Sequence, residues 1–391
     1  MPQVDLVRGI HKRCFGADGS AFQAPGRVNL IGEHTDTSEG FVMPAALDFQ
    51  TIAVLSPASD AIAAIHSTNF NETVCIDLEQ LPGQPRSHWS DYPTAVLWSL
   101  QQRGIHCKGF QLTLSGDVPV AAGLSSSASV EVAVAMAVLA HAGVVLPKTE
   151  VAKLCQRAEN GFIGAQSGIM DQFASCCGAQ DHALLLDCRS LQYELLPLPP
   201  SVRLVICNSM VKHSVADGEY NNRRADVEQA LQILQRHHKS IRTLRDITEA
   251  ELLEYSATLS AGEMPENALR RARHVISENR RVLEAADALR QMDFVQFGRL
   301  MYEAHDSMRD DYQASSEEND ILVALAKKQP GCYGARITGA GFGGCTVNLV
   351  AAEHVPQFSS AMAVTYHEAT GIQAEIYLSR ASDGAGPLPP P

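Results

Sequence analysis

The chain has no Cys-x-x-Cys pair, and none of its ten scattered cysteines has a histidine companion at zinc-finger spacing. Neither a zinc module nor a disulfide framework is expected, and reduced thiols in the cytoplasm are the default. The opening stretch, MPQVDLVRGIHKRC, lacks an apolar core of signal-peptide length, so no export is expected. The longest apolar run covers residues 130–146 and is broken by Glu131 and His141. It falls short of the ~20 residues that a membrane span requires and reads as a buried helix. No Gly-x-x-x-x-Gly-Lys-Ser/Thr occurs, which excludes a Walker-type loop. Internal repeats and long low-complexity tracts are also missing. Cations are the scarcer charge, 31 against 44 acids, for a net charge of −13. That balance disfavours a nucleic-acid partner, because a broad phosphate-binding surface needs the opposite sign. Anionic small substrates remain open wherever local cations receive them.

Against these absences stands a globular composition, 45% hydrophobic and 19% charged. At 391 residues the chain has room for two or three domains, or one large one. Strands are predicted at 41–54, 61–65 and 109–115, then a helix over 125–142 and another from 149 to 156. Residues 183–187 and 193–198 read as a hairpin. The prolines at 196–200 mark a rigid break between halves. The second half is more helical, with amphipathic patterns over 222–236 and 267–292. In the latter, Leu269, Val275, Ile276, Val282 and Leu283 form the apolar stripe. A shorter helix is expected at 321–328, and strands at 346–350 and 372–378. The whole reads as α+β in two domains, residues 1–198 and 199–384, with a frayed Pro-rich tail at 385–391.

Three segments carry chemistry. The first, Ala24-Pro-Gly-Arg-Val-Asn-Leu-Ile-Gly-Glu-His-Thr-Asp36, gathers Arg27, Glu33, His34 and Asp36 among glycines. Such a set suits a polyhydroxylated ligand, whose hydroxyls need donors and acceptors in fixed places. A polar turn ending a strand is the plainer alternative. The second, Pro119-Val-Ala-Ala-Gly-Leu-Ser-Ser-Ser-Ala-Ser129, runs into a helix. Small residues and the free N–H groups of a helix start favour a phosphate, and a serine hydroxyl there can join a carboxylate on Mg²⁺. The alternative is a flexible linker with a serine N-cap. The third, Thr338-Gly-Ala-Gly-Phe-Gly-Gly344, matches Gly-x-Gly-x-x-Gly but leads into a strand, which rules out a nicotinamide site. A tight glycine loop against a backbone or ligand, or a glycine hairpin, remains. Between them, Asp171 in Gly168-Ile-Met-Asp-Gln172 lies among apolar and small residues. A buried aspartate needs a cation such as Arg27, and an oriented carboxylate beside a hydroxyl is a general base. A capping aspartate is the commoner use.

Together these segments resemble the galactokinase family, within the wider family of homoserine, mevalonate and phosphomevalonate kinases. The narrower likeness rests on Gly26-Arg-Val-Asn-Leu-Ile-Gly-Glu-His-Thr-Asp36, with Gly168-Ile-Met-Asp-Gln172, Asp187-Cys-Arg-Ser190, Gly218-Glu-Tyr-Asn-Asn-Arg-Arg224 and Arg309-Asp-Asp-Tyr312. The resemblance implies an N-terminal S5-domain-2-like domain, a C-terminal ferredoxin-like domain and an active site in the cleft between them. It implies MgATP-dependent phosphorylation of galactose at the C1 hydroxyl, with ATP as co-substrate and Mg²⁺ as cofactor. Asp171 and Arg27 would be catalytic. Glu33, His34, Thr35, Asp36, Gly168 and Tyr220, with Asp171, would bind the sugar. Ala121, Ala122, Gly123, Leu124, Ser125, Ser126 and Ser127 would wrap the ATP phosphates, and Ser127 with Glu159 would hold the metal. Trp89 lies near the adenine or in the core. No nucleic acid, membrane or obligate protein partner is expected. The family usually carries Tyr-Asn after His-Thr-Asp, where this chain has Thr37-Ser38, so an aromatic beside Asp36 is lost. Two alternatives are a kinase for another substrate, such as N-acetylgalactosamine or a non-sugar alcohol, and a non-catalytic galactose sensor.

Overall fold

The computed structural model describes residues 4–120, 122–212, 216–260 and 262–390. The chain opens with helix α1 (Val4–Phe15) and strand β1 (Ser20–Asn29). Strands β2 (Phe41–Val42), β3 (Pro44–Pro57), β4 (Ile62–Ser67) and β5 (Glu72–Asp77) follow, then α2 (Asp91–Gln102) and β6 (Phe110–Gly116). Three helices come next, α3 (Ser126–His141), α4 (Lys148–Ala158) and α5 (Met170–Cys177). The hairpin β7 (His182–Asp187) and β8 (Tyr193–Pro197) leads to β9 (Val202–Lys212). After it come α6 (Ala216–His237), α7 (Glu249–Thr258), α8 (Glu266–Arg290), α9 (Phe294–Ser307) and α10 (Glu317–Ala326). The chain ends with β10 (Cys332–Thr338), β11 (Gly343–Ala351), α11 (Val355–Thr370), β12 (Glu375–Ser379) and β13 (Gly386–Pro387).

These elements form two compact units. The first holds residues 1–27, 45–180 and 381–391, and the second holds 28–44 and 181–380. Strand pairing explains why neither is continuous. The tail, expected to fray, supplies β13, which pairs with β1 through Phe22 and Pro387. The hairpin β7–β8 pairs with β2 through Phe41 and Asp187, so it leaves the first unit. The break therefore follows Gln180 rather than residue 198, and the prolines at 197–200 lie inside the second unit.

The first unit has a six-stranded sheet in the order β13-β1-β3-β6-β4-β5, with β4 parallel to β6. Helix α3 is apolar over most of its surface, and ten of its residues are buried. It is the helix expected from the run at 130–146. On α1, buried His11 is held between the hydroxyls of Thr113 and Ser56, 2.9 Å from each.

The second unit has a four-stranded antiparallel sheet, β10-β11-β9-β12, and the small sheet β2-β7-β8. Its strand order, with helices after β9 and after β11, is the ferredoxin-like βαββαβ plan. Val205, Cys207, Leu322, Phe358, Met362 and Tyr366 make the core between sheet and helices. The glycine segment at 339–344 makes the turn of the β10–β11 hairpin and the first residues of β11, and Thr338 pairs with Cys345 across it. One expectation for α8 fails: Leu283 is 42% exposed, whereas Arg271, His274, Glu278 and Arg281 on the same helix are buried. No helix among the described residues is long and apolar enough to cross a membrane.

Candidate active site

In the first unit the site is built outward from the end of β1. A Cβ on Gly26 would lie 2.6 Å from the Leu124 carbonyl oxygen, so only glycine lets the serine loop come this close. The Arg27 amide then donates to the Leu124 carbonyl at 3.1 Å, and its Nη1 to the Gly123 carbonyl at 2.6 Å. The other edge of the guanidinium faces Asp171. Nε donates to Oδ1 and Nη2 to Oδ2, each at 2.8 Å. This two-pronged geometry is the strong form of an arginine–carboxylate pair. The Arg27 side chain is 6% exposed and that of Asp171 is 28% exposed, so the accessible side of the pair belongs to the aspartate.

Ser125 completes this cluster, donating its hydroxyl to Asp171 Oδ2 at 2.5 Å. Its backbone lies in the left-handed region (φ 59°), which is uncommon for a residue with a side chain and persists where surroundings hold it. Ser125 sits at the N-cap of α3 but makes no side-chain cap there. The start of this 16-residue helix thus keeps amide donors of the kind that receive an anion. Ala122, Gly123, Leu124, Ser126 and Ser127 lie in the loop and the first turn, and Ala121 lies outside the described residues.

Ser127 and Glu159 also meet. The Ser127 hydroxyl donates to Glu159 Oε1 at 3.3 Å, and Oε2 accepts from Ser167 and Gln172, each at 2.8 Å. Glu159 begins a turn of π-helix, Glu159–Ile163, that ends α4. Such turns often occur at functional sites, and nothing in the sequence pattern marked this one. Burial and the charge of Asp171 push the Glu159 carboxyl upward. The nearby Asp171 carboxylate, the second cause of that shift after burial, also favours a bound cation. A hydroxyl and one carboxylate fit Mg²⁺, a hard ion that keeps several waters and takes few protein ligands beside phosphates. Gly168 lies in the loop just before α5, three residues ahead of Asp171. Trp89 is not a core residue. It is half-buried, stacks on exposed Phe70 at 5.8 Å between ring centroids, and donates its Nε1–H to Glu72 at 2.7 Å.

The second unit holds Glu33, His34, Asp36 and Tyr220. Glu33 is 2% exposed and both its oxygens are engaged. Oε2 accepts from Asn29 Nδ2 at 2.9 Å, and Oε1 from the Gly339 amide at 2.9 Å and Arg336 Nη1 at 3.4 Å. The glycine segment is thus a hairpin turn, as one of its two readings had it, and it also approaches a side chain of the signature. A Cβ at Gly341 (φ 91°) would lie 2.3 Å from the Ala314 carbonyl oxygen.

His34 has φ 60°. Its ring stacks on Tyr312 at 4.3 Å and tilts against Tyr220 at 5.7 Å. Burial, then the neighbouring His274 and Arg336, lower its pKa to about 3, so the ring is neutral. It bonds the backbone of Ala340, while buried Nε2 meets no hydrogen-bond partner among the described residues. With the ring hydrogen given to the carbonyl, Nε2 is a free acceptor, suited to a ligand hydroxyl. Tyr312 and Tyr220 supply aromatic surface against His34, three residues before Thr37, where the family carries Tyr. Tyr312 lies in a second π turn, Met308–Tyr312, within a segment matched by sequence but given no role.

Thr35 lies in the same loop. It is fully buried, and its hydroxyl faces the carbonyls of Gly32 and Phe41 at 3.0 and 2.6 Å. That hydroxyl helps to close its own loop. Half-buried Asp36 accepts from the Thr37 amide at 2.9 Å and begins a short 3₁₀ turn. The Asp187-Cys-Arg-Ser190 segment braces this loop from behind. Asp187 is paired with Arg245, which also donates to the Glu39 carbonyl and lies 4.1 Å over the Phe41 ring. Arg189 bonds Glu39 at 2.7 Å.

Comparison with known proteins agrees with this geometry. Residues 10–57 match the galactokinase galactose-binding signature, 91–179 the GHMP kinases N-terminal domain, and 285–366 the GHMP kinases C-terminal domain. The chain is 46% identical to a galactokinase of Roseiflexus sp. (strain RS-1), across 93% of this chain and 92% of that one. It is 40% identical to a galactokinase of Glaesserella parasuis, across 98% and 99%. The crystal structure of Lactococcus lactis galactokinase complexed with galactose superimposes with a TM-score of 0.94 at 34% identity, covering 98% of this chain and all of that one. The chain belongs to the galactokinase family of the GHMP kinases.

Proposed function

We propose that the chain phosphorylates galactose at its C1 hydroxyl, taking the γ-phosphoryl group of MgATP and releasing galactose 1-phosphate and ADP. The observation that carries this reading is Asp171, gripped by Arg27 and Ser125 at the edge of the serine loop. Phosphoryl transfer asks a protein mainly for positioning and charge stabilisation. Asp171 receives the C1 hydroxyl and takes its proton. Arg27 fixes the carboxylate and lends positive charge to the transferring group. The loop 121–127 and the start of α3 bind the phosphates through backbone amides.

Ser127 and Glu159 would hold Mg²⁺, which offsets charge on the ATP phosphate oxygens. Glu33, His34, Asp36, Gly168 and Tyr220 receive the remaining sugar hydroxyls, and His34 Nε2 is the acceptor with no protein partner among the described residues. Because Arg27, Asp171, Ser127 and Glu159 are present and coupled in pairs, catalysis is favoured over a sensor. All ten cysteines carry free thiols, in keeping with a cytoplasmic, reducing setting. ADP release by purified protein with MgATP and galactose tests the proposal, and no release from folded protein that binds galactose would turn the reading to a sensor.

A further inference from the structure

We propose that Glu278 and His274 are positioning residues for sugar recognition, holding the backbone on either side of Glu33 and thereby aiming Glu33 and His34. The inference rests on the reading of those two residues as hydroxyl-binding groups. Glu278 and His274 are four apart on α8 and so share one helix face. Both are fully buried. Glu278 Oε1 accepts from the Gly32 amide at 2.8 Å and the Glu33 amide at 3.4 Å. One turn earlier, His274 Nε2 lies 3.1 Å from the Glu33 carbonyl oxygen. A carbonyl only accepts, so Nε2 carries the hydrogen, and Nδ1 accepts from the Ser307 hydroxyl at 2.9 Å. Burial lowers the His274 pKa to about 4, consistent with this neutral tautomer.

The gripped segment needs outside partners. Gly32 has φ 100° and His34 φ 60°, so the backbone here cannot satisfy itself by a regular ladder. Glu278 is in turn neutralised by Arg281, whose Nε donates to Oε2 at 2.7 Å. A buried ion pair is a costly way to hold a loop, and apolar packing of equal volume often does better. Backbone amides and a carbonyl, however, must be met by polar groups. The Glu33 carboxylate is held separately, by Asn29, Gly339 and Arg336. Glu278 and His274 therefore act through the peptide units and not on the atoms that would meet the sugar.

The test is a kinetic split in the full-length enzyme. His274→Phe keeps the ring shape and loses the donor to Glu33. It is expected to raise the KM for galactose about tenfold, the loss of one well-aimed hydrogen bond, with kcat and the KM for ATP changed by about twofold or less. His274→Gln, whose amide nitrogen can take the place of Nε2, is expected to restore most of that loss. A merely structural role would lower the yield of active enzyme and not separate the two Michaelis constants. Ser307→Ala, which frees the His274 tautomer, is the second variant should His274→Phe not fold, and it is expected to shift the galactose KM in the same direction. An unchanged galactose KM in the folded variant, or equal shifts for galactose and ATP, overturns the inference. A wild-type enzyme that does not phosphorylate galactose overturns the functional reading instead, so the two failures are distinct.

Discussion

Arg27 grips Asp171 by both carboxylate oxygens, Nε on Oδ1 and Nη2 on Oδ2, at 2.8 Å each. The same guanidinium donates its remaining edge to the Gly123 carbonyl, so one side chain ties the acid to the serine loop. Asp171→Asn keeps the shape and removes the charge. Turnover is expected to fall by about a hundred- to ten-thousand-fold, the range of a lost general base, with only modest loss of galactose binding. Steady-state ADP release and sugar titration check this, and near-normal turnover would refute the role of Asp171.

The close approach of β1 to the loop depends on the missing side chain of Gly26. A Cβ there would sit 2.6 Å from Leu124 O and 2.9 Å from Val118. Gly26→Ala is expected to push the loop away at a cost of about 1–3 kcal/mol of stability. A rise in the KM for ATP should accompany the lower urea midpoint. An alanine variant as stable and as tight for ATP as the parent would show that the loop yields freely.

Ser127 stands beside Glu159 in the pair assigned to Mg²⁺. Ser127→Ala is expected to raise the Mg²⁺ concentration for half-maximal activity about tenfold, with the KM for galactose little changed. Titration of activity with Mg²⁺ at fixed ATP reads this directly. An unshifted metal requirement would remove Ser127 from the metal site.

His34 and His274 are buried and neutral, with pKa values lowered to about 3 and about 4. An unfolded histidine titrates near pH 6.5, so between those limits the unfolded chain binds more protons. Their contribution to stability is complete above pH 6.5 and is lost as pH falls toward about 4. Each should add about 1.4 kcal/mol per pH unit to the slope in that window. The difference in urea stability between wild type and His274→Gln, measured at pH 7 and pH 5, isolates one of them. Equal slopes in the two proteins would contradict a buried neutral His274.

Part of the cluster around Asp171 and the serine loop was legible in the residue types themselves. An aspartate among apolar residues needs a cation, and serines after a glycine at a helix start suit an anion. Arg27 and Asp171 pair as that charge logic asks, whereas Glu159 beside Ser127 was indicated by the family resemblance alone. What escaped depends on tertiary pairing. The Pro-rich tail forms a strand because β1 offers it an edge. The apolar stripe read for α8 left its charged residues without a role, yet His274 and Glu278 turn inward to the backbone of the signature. The two carbonyls that the Thr35 hydroxyl meets within its own loop could not be read from the motif. The π turns that carry Glu159 and Tyr312 leave no trace in periodicity.

The central claim is most directly tested by ADP release from purified protein with MgATP and a panel of galactose, glucose, 2-deoxygalactose, N-acetylgalactosamine and talose. The account predicts release with galactose well above every other sugar, which would also show that Thr37-Ser38 leaves the sugar pocket intact. Release with another sugar and none with galactose would contradict it.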